Sequence, residues 1–175
     1  MSVYMTEEEQ LEAIKKFWKK HQNKITVLLS GVLLVTAGFR YWNWHIEKRD
    51  HNASIVYEQL IHAFTKENAP AIQAYSKTLT SNYQHTVYAD AALLVLAKTF
   101  VEAKEWSQAI GALKQVAEKG QTAALRDVAK FRLARIFLYR KQYDEALKIL
   151  NEVHVVDETK LHQLKNDVYS AKKLS

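Results

Sequence analysis

An all-α protein is predicted: one N-terminal transmembrane helix followed by a solenoid of helical hairpins. Three observations lead there. Gly (4) and Pro (1) are too scarce for the turns of an all-β fold, while Ala, Leu, Lys, Gln and Glu, which favour helix, are abundant. Residues 25–39, ITVLLSGVLLVTAGF, carry no charge. Further on, a set of alanines, leucines and aromatics recurs 37 residues later.

The apolar run alone is short, since crossing a bilayer takes about 20 residues. Its flanks extend it. Lys24 and Arg40 can hold their charges at the interface while their stems stay apolar, and Tyr41, Trp42 and Trp44 supply an aromatic belt. Residues 24–44 are therefore the predicted membrane helix. Three other readings compete with it. A buried core helix rarely combines a lysine cluster with such a belt. A cleaved signal peptide needs a small-residue site, whereas bulky Arg40-Tyr41-Trp42 follows the run. A helix lying in the interface would not be apolar all round.

Residues 1–23 form a tail. Lys15, Lys16, Lys19, Lys20 and Lys24 outnumber Arg40, Lys48 and Arg49 beyond the span, so the positive-inside bias keeps the N-terminus cytoplasmic. Thr6 and Glu9 have capping-box spacing. Leu11, Ile14, Phe17 and Trp18 then share one helix face, with the lysines opposite. Such a helix suits anionic membrane lipid, and equally the cytoplasmic side of a membrane partner. The membrane-interface residues are thus Phe17, Trp18, Lys24, Arg40, Tyr41, Trp42 and Trp44. The flanking lysines account for much of the net charge of +6. Basic residues elsewhere alternate with acids and build no aromatic–Arg platform, so no nucleic acid is expected as a partner.

Residues 45–175 read as helices with short breaks. Ala53, Val56, Tyr57, Leu60, Ile61 and Phe64 make one face of a first helix. Glu67-Asn68-Ala69-Pro70 breaks it, with Pro opening the next helix, and Ile72, Tyr75 and Leu79 continue. Leu96-Ala97, Phe100, Trp106, Ala109 and Leu113 are then answered by Leu133-Ala134, Phe137, Tyr143, Ala146 and Leu150, with Ala97 and each residue after it recurring 37 residues on. The small Ala97, Ala109, Ala134 and Ala146 suit places where antiparallel helices cross closely, and Trp106 and Tyr143 fall at turns. One hairpin has too little core alone, so a fixed period implies stacked neighbours. Residues 53–81 are a candidate degenerate first unit. An unrelated helical bundle is the competing architecture.

These residues resemble the tetratricopeptide repeat (TPR), which makes the predicted fold a TPR-like α-solenoid. The usual glycine is Ala here, the usual first Trp is Leu93 or Lys130, and the terminal Pro is absent. The period exceeds the usual value of about 34, with the extra residues placed near Gly120-Gln121-Thr122.

The whole layout resembles the YfgM family of ancillary SecYEG translocon subunits. The resemblance rests on Glu-Gln-Leu-Glu-Ala-Ile-Lys-Lys-Phe-Trp at residues 9–18, the short span, Arg40-Tyr41-Trp42-Asn43, Leu133-Ala134-Arg135 and the hairpin at 143–150. It implies a single-pass protein of the bacterial inner membrane, with a cytoplasmic tail and a periplasmic TPR-like domain. It also implies work at the exit side of the SecYEG translocon, beside the membrane-anchored chaperone PpiD, linking periplasmic chaperones to emerging polypeptides. Members of the family usually run further. A third hairpin would only begin near Ala171, so a terminal capping helix is expected to be missing or replaced.

In TPR stacks the first helix of each hairpin lines the concave surface. By that resemblance Leu94, Lys98, Val101, Phe131, Arg135, Leu138 and Tyr139 should face a partner-binding groove. The TPR clamp for C-terminal carboxylates needs Lys and Asn where this chain has Leu94 and Lys98. An apolar segment of a partner, such as a helix laid in the groove, is the expected ligand. The competing reading places some of these residues in the core, or beneath a further C-terminal helix.

Catalytic and metal signatures are absent from the sequence. It has no cysteine, which excludes disulfides, zinc–thiolate sites and a cysteine nucleophile. His45, His51, His62, His85, His154 and His162 are scattered and form no H-E-x-x-H pair. There is no G-x-S-x-G, P-loop or Gly-rich nucleotide turn. Asp144-Glu145 reads as the acidic first turn of a helix. No enzyme, metal or cofactor is expected. The sequence favours a translocon-associated scaffold. The alternatives are a membrane-anchored regulator whose cytoplasmic tail binds a signalling protein, and a secreted TPR adaptor released by signal cleavage.

Overall fold

The structure, a computed structural model, describes residues 7–154 and 157–174, with the backbone alone at residues 7–10, 13, 14 and 25. The Thr6–Glu9 capping box and the side chains of Ile14 and Ile25 lie outside the described residues. Seven helices form among the described residues: α1 (Glu7–Thr65), α2 (Ala69–Asn82), α3 (Val87–Glu102), α4 (Trp106–Lys119), α5 (Ala123–Tyr139), α6 (Tyr143–Leu150) and α7 (Glu158–Lys173). The chain divides into two units, Met1–Glu47 and Lys48–Ser175.

The first unit is helical throughout its described residues. Val27, Leu28, Leu29, Val32, Leu33, Leu34, Val35 and Phe39 are all more than half exposed. The Thr36 hydroxyl turns back on its own helix, donating to the Val32 and Leu33 carbonyls at 3.0 Å each. Such back-bonding hides a hydroxyl on an otherwise apolar surface. Among the described residues no single helix is long and apolar enough to cross a membrane. Lys15–Lys24 and Thr26–Thr65, both within α1, pass that test only together.

The second unit is a stack of hairpins, and its turns explain the 37-residue period. Two residues past each first helix stands a residue with positive φ: Glu67 (53°), Lys104 (61°) and Lys141 (60°), successively 37 residues apart. The next backbone N–H reaches five residues back, from Asn68 to the Ala63 carbonyl (3.0 Å), Glu105 to Phe100 (2.8 Å) and Gln142 to Phe137 (2.8 Å). This is a Schellman closure, which satisfies carbonyls that the ending helix leaves open. Residues 53–81 are thus a full first unit, although the alanine–aromatic signature is missing there. Leu60 stands where the later units have Ala97 and Ala134, and Ser76 where they have Leu113 and Leu150; both are fully buried.

Side chains begin the helices. Asn68 accepts from Ala71 N–H (3.1 Å), Thr86 from Ala89 (3.3 Å), Thr122 from Leu125 (3.2 Å) and Asp157 from Thr159 (2.9 Å). Gly120 ends α4, where a Cβ would meet the Val116 carbonyl oxygen at 2.6 Å, so the close approach requires glycine. Two apolar clusters form the core. Ala53, Leu60, Ala63, Ile72, Leu79 and Ala92 make one. The other runs from Leu93 through Ala97, Ala109, Leu113, Ala134, Phe137, Ala146 and Leu150 to Leu164 and Val168. The capping helix expected to be missing or replaced has an occupant in α7. It buries Leu164 and Val168 and turns Gln163, Asn166, Asp167, Tyr169 and Ser170 to solvent.

Candidate partner-binding groove

The site is built on the first helices of successive hairpins. Their inward stripe supplies the core, and the residues one turn to the side line an open groove of about 860 Å³. Ala97, Leu113, Ile136 and Leu164 give it an apolar floor. Lys98, Val101 and Glu102 line it from α3, Arg132, Arg135, Leu138 and Tyr139 from α5, Asp167 from α7, and Lys104 and Trp106 from the turn and start of α4.

Five of the seven residues expected in the groove are brought together: Lys98, Val101, Arg135, Leu138 and Tyr139. Leu94 is not among them. It is only 7% exposed and belongs to the core, because α3 turns that position toward α4 and α5. Phe131 is half-buried against the same core. Tyr139, in contrast, is 70% exposed, and its ring packs against Trp106 with centroids 5.0 Å apart. Lys98 lies 4.6 Å from the Phe64 ring centre and 3.6 Å from Glu102.

Sequence reasoning missed Lys104, Trp106, Arg132 and Asp167 as lining residues. Arg132 donates to the Leu94 carbonyl at 3.1 Å. Burial, and then the charge of neighbouring Arg135, holds its guanidinium below the ordinary value, while arginine stays charged throughout the physiological range. The repeat offered no signal for it, since Val95 holds the same place one unit earlier.

It also missed a pair of aspartates that fix the hairpins. Asp90 and Asp127 are buried, 37 residues apart, near the starts of α3 and α5. Asp90 accepts from the Gln121 backbone N–H at 2.6 Å and Asp127 from that of His154 at 2.7 Å, so each ties the loop after the second helix to the first. Burial raises the Asp90 pKa, opposed by the Gln121 hydrogen bond and the Arg126 charge. Their 37-residue spacing is present in the sequence, but the repeat signature rests on apolar and aromatic residues.

The predicted membrane-interface residues are on the surface of the first unit: Phe17, Trp18, Tyr41, Trp42 and Trp44 are each more than half exposed, and Lys24 and Arg40 are exposed too. No group of three or more His, Asp or Glu that could hold a metal occurs among the described residues.

Stacked hairpins and an open groove define a tetratricopeptide repeat-like protein. The family described as a tetratricopeptide repeat-like domain matches residues 15–174. An ancillary SecYEG translocon subunit of Escherichia coli (strain K12) is 32% identical over 156 residues, covering 87% of this chain and 73% of the relative. That of Haemophilus influenzae is 30% identical over 155 residues, covering 87% and 74%. That of Neisseria gonorrhoeae is 28% identical over 177 residues, covering 100% and 85%. No solved structure matches significantly. The chain belongs to the family of ancillary SecYEG translocon subunits, YfgM, as its leader, junction and repeats implied. It is a non-enzymatic protein, as members of that family are.

Proposed function

We propose that this chain is a scaffold held in the bacterial inner membrane next to the SecYEG translocon. Residues 24–44 cross the bilayer, residues 1–23 stay in the cytoplasm, and residues 45–175 form a periplasmic docking domain. There the groove on α3, α5 and α7 holds a membrane-anchored chaperone of the PpiD kind and brings it to emerging polypeptides. The observation that carries the reading is the family membership, whose relatives are named ancillary SecYEG translocon subunits. The exposed apolar residues 27–39, bounded by Lys24 and the Arg40–Trp44 belt, support the anchor. The exposed Phe17 and Trp18, with lysines beside them, support a tail that lies on the lipid surface.

Two measurements test this together. A reporter fused after residue 60 should be active only outside the cytoplasm; cytoplasmic activity refutes the orientation. A photo-crosslinker at Tyr139 should capture a chaperone or translocon subunit from mild detergent, and one at Lys148 on the exposed side of α6 should not. Capture from residues 1–20 alone would instead favour the regulator that works through its tail.

A further inference from the structure

The groove carries its cations in a register. Lys98, Arg135 and Lys172 hold the same place in α3, α5 and α7, each 37 residues from the next. Lys98 is paired with Glu102 at 3.6 Å, and Lys172 with Asp144 at 2.5 Å. The middle rung is different. Arg135 is exposed, lines the groove, and makes no hydrogen bond or ion pair among the described residues. Beside it Arg132 is directed to the Leu94 carbonyl, and the two positive charges work against each other. The groove holds Lys98, Lys104, Arg132 and Arg135 against only Glu102 and Asp167, and Glu102 is already engaged by Lys98. Two guanidiniums over an apolar floor, with no acid of their own, are a place for an acid supplied from outside.

We propose that the groove takes an amphipathic helix of another protein, whose apolar face lies on Ala97, Ile136 and Leu164 and whose side-chain carboxylates pair with Arg135 and the cations around it. The inference rests on the groove being a docking surface and adds the charge and shape of what docks. The register sets a spacing. Packed helices lie about 8–10 Å apart, and residues i and i+7 of a helix are separated by about 10.5 Å. Acidic residues two turns apart on the ligand therefore meet Arg135 and, by displacing Glu102, Lys98. A free C-terminal carboxylate plays no part.

The probe is a fluorescent helical peptide of about 15 residues, near the least that stays helical in water, with leucines on one face and glutamates two turns apart. Its control has Gln for each Glu. Both are titrated against the full chain in maltoside micelles. The Glu peptide should bind about tenfold tighter than the Gln peptide at low salt, with the gap narrowing as salt is raised. Arg135→Gln should bring the Glu peptide down to the Gln level with helicity and melting unchanged, and Lys148→Ala should alter neither affinity. Equal binding of the two peptides overturns the acidic ligand and leaves the docking surface standing. A preference that survives Arg135→Gln overturns it as well. If neither peptide binds, the docking surface falls with it.

Discussion

Asp90 shows what a single buried acid contributes here. Its carboxylate oxygen receives the Gln121 N–H at 2.6 Å, and burial raises its pKa above the ordinary 3.8. An acid whose folded pKa is raised holds its proton longer in the folded state than in the unfolded one. Stability from this group therefore falls as pH rises from about 3.8 through the raised value. Asp90→Asn keeps an acceptor oxygen and removes that titration. Its melting temperature relative to wild type should climb as pH rises through this window, and a constant difference would refute the account. Asp90→Ala leaves the Gln121 N–H without a partner and should cost about 1–3 kcal/mol by denaturant unfolding at neutral pH.

The helices owe their lengths to how they stop. Glu67, Lys104 and Lys141 each adopt a left-handed conformation that suits glycine better than a long side chain. Helix α5 stops at Tyr139 because Lys141 takes that conformation and Gln142 N–H closes on the Phe137 carbonyl. Lys141→Gly should be neutral or stabilise by up to about 1 kcal/mol, since it removes the left-handed strain of roughly 1–2 kcal/mol against glycine's greater unfolded freedom. Lys148→Gly, inside α6, should instead destabilise by about 1 kcal/mol. Equal losses at the two sites, read from urea midpoints, would sink the turn assignment.

The solenoid depends on close contact between hairpins. Ala134 is fully buried among Ala97, Leu133, Phe137 and Ala146 in the larger cluster, and each repeat's core is completed by its neighbour. Ala134→Leu should force α5 off its partners and destabilise the second unit by about 1–3 kcal/mol. Exposed Lys148→Ala should change stability by less than about 0.5 kcal/mol. If thermal melts show the two variants alike, the packing described here is wrong. The same stacking forms the groove, because it sets the first helices side by side and leaves Tyr139 and Arg135 in the open.

Composition and spacing were enough to read the helical class, the 37-residue period and the alanine crossings, while the groove stripe came from the resemblance to the tetratricopeptide repeat. Those features are local or strictly repeated. Ala97 and Ala134 recur because the crossings in the two later hairpins take a small side chain, and Lys98 and Arg135 hold the same place on α3 and α5. Packing decided the rest. The first hairpin keeps the turn at Glu67 while Leu60 and Ser76 replace the signature, so its membership of the series is carried by backbone geometry. Leu94 went to the core, since its orientation depends on how α3 rolls against α4 and α5. Asp90 and Asp127 look like ordinary helix-start acids until the fold brings Gln121 and His154 to them. A period fixes which residues are equivalent; the partners those residues meet come from elements distant in the chain, and only the folded stack brings them together.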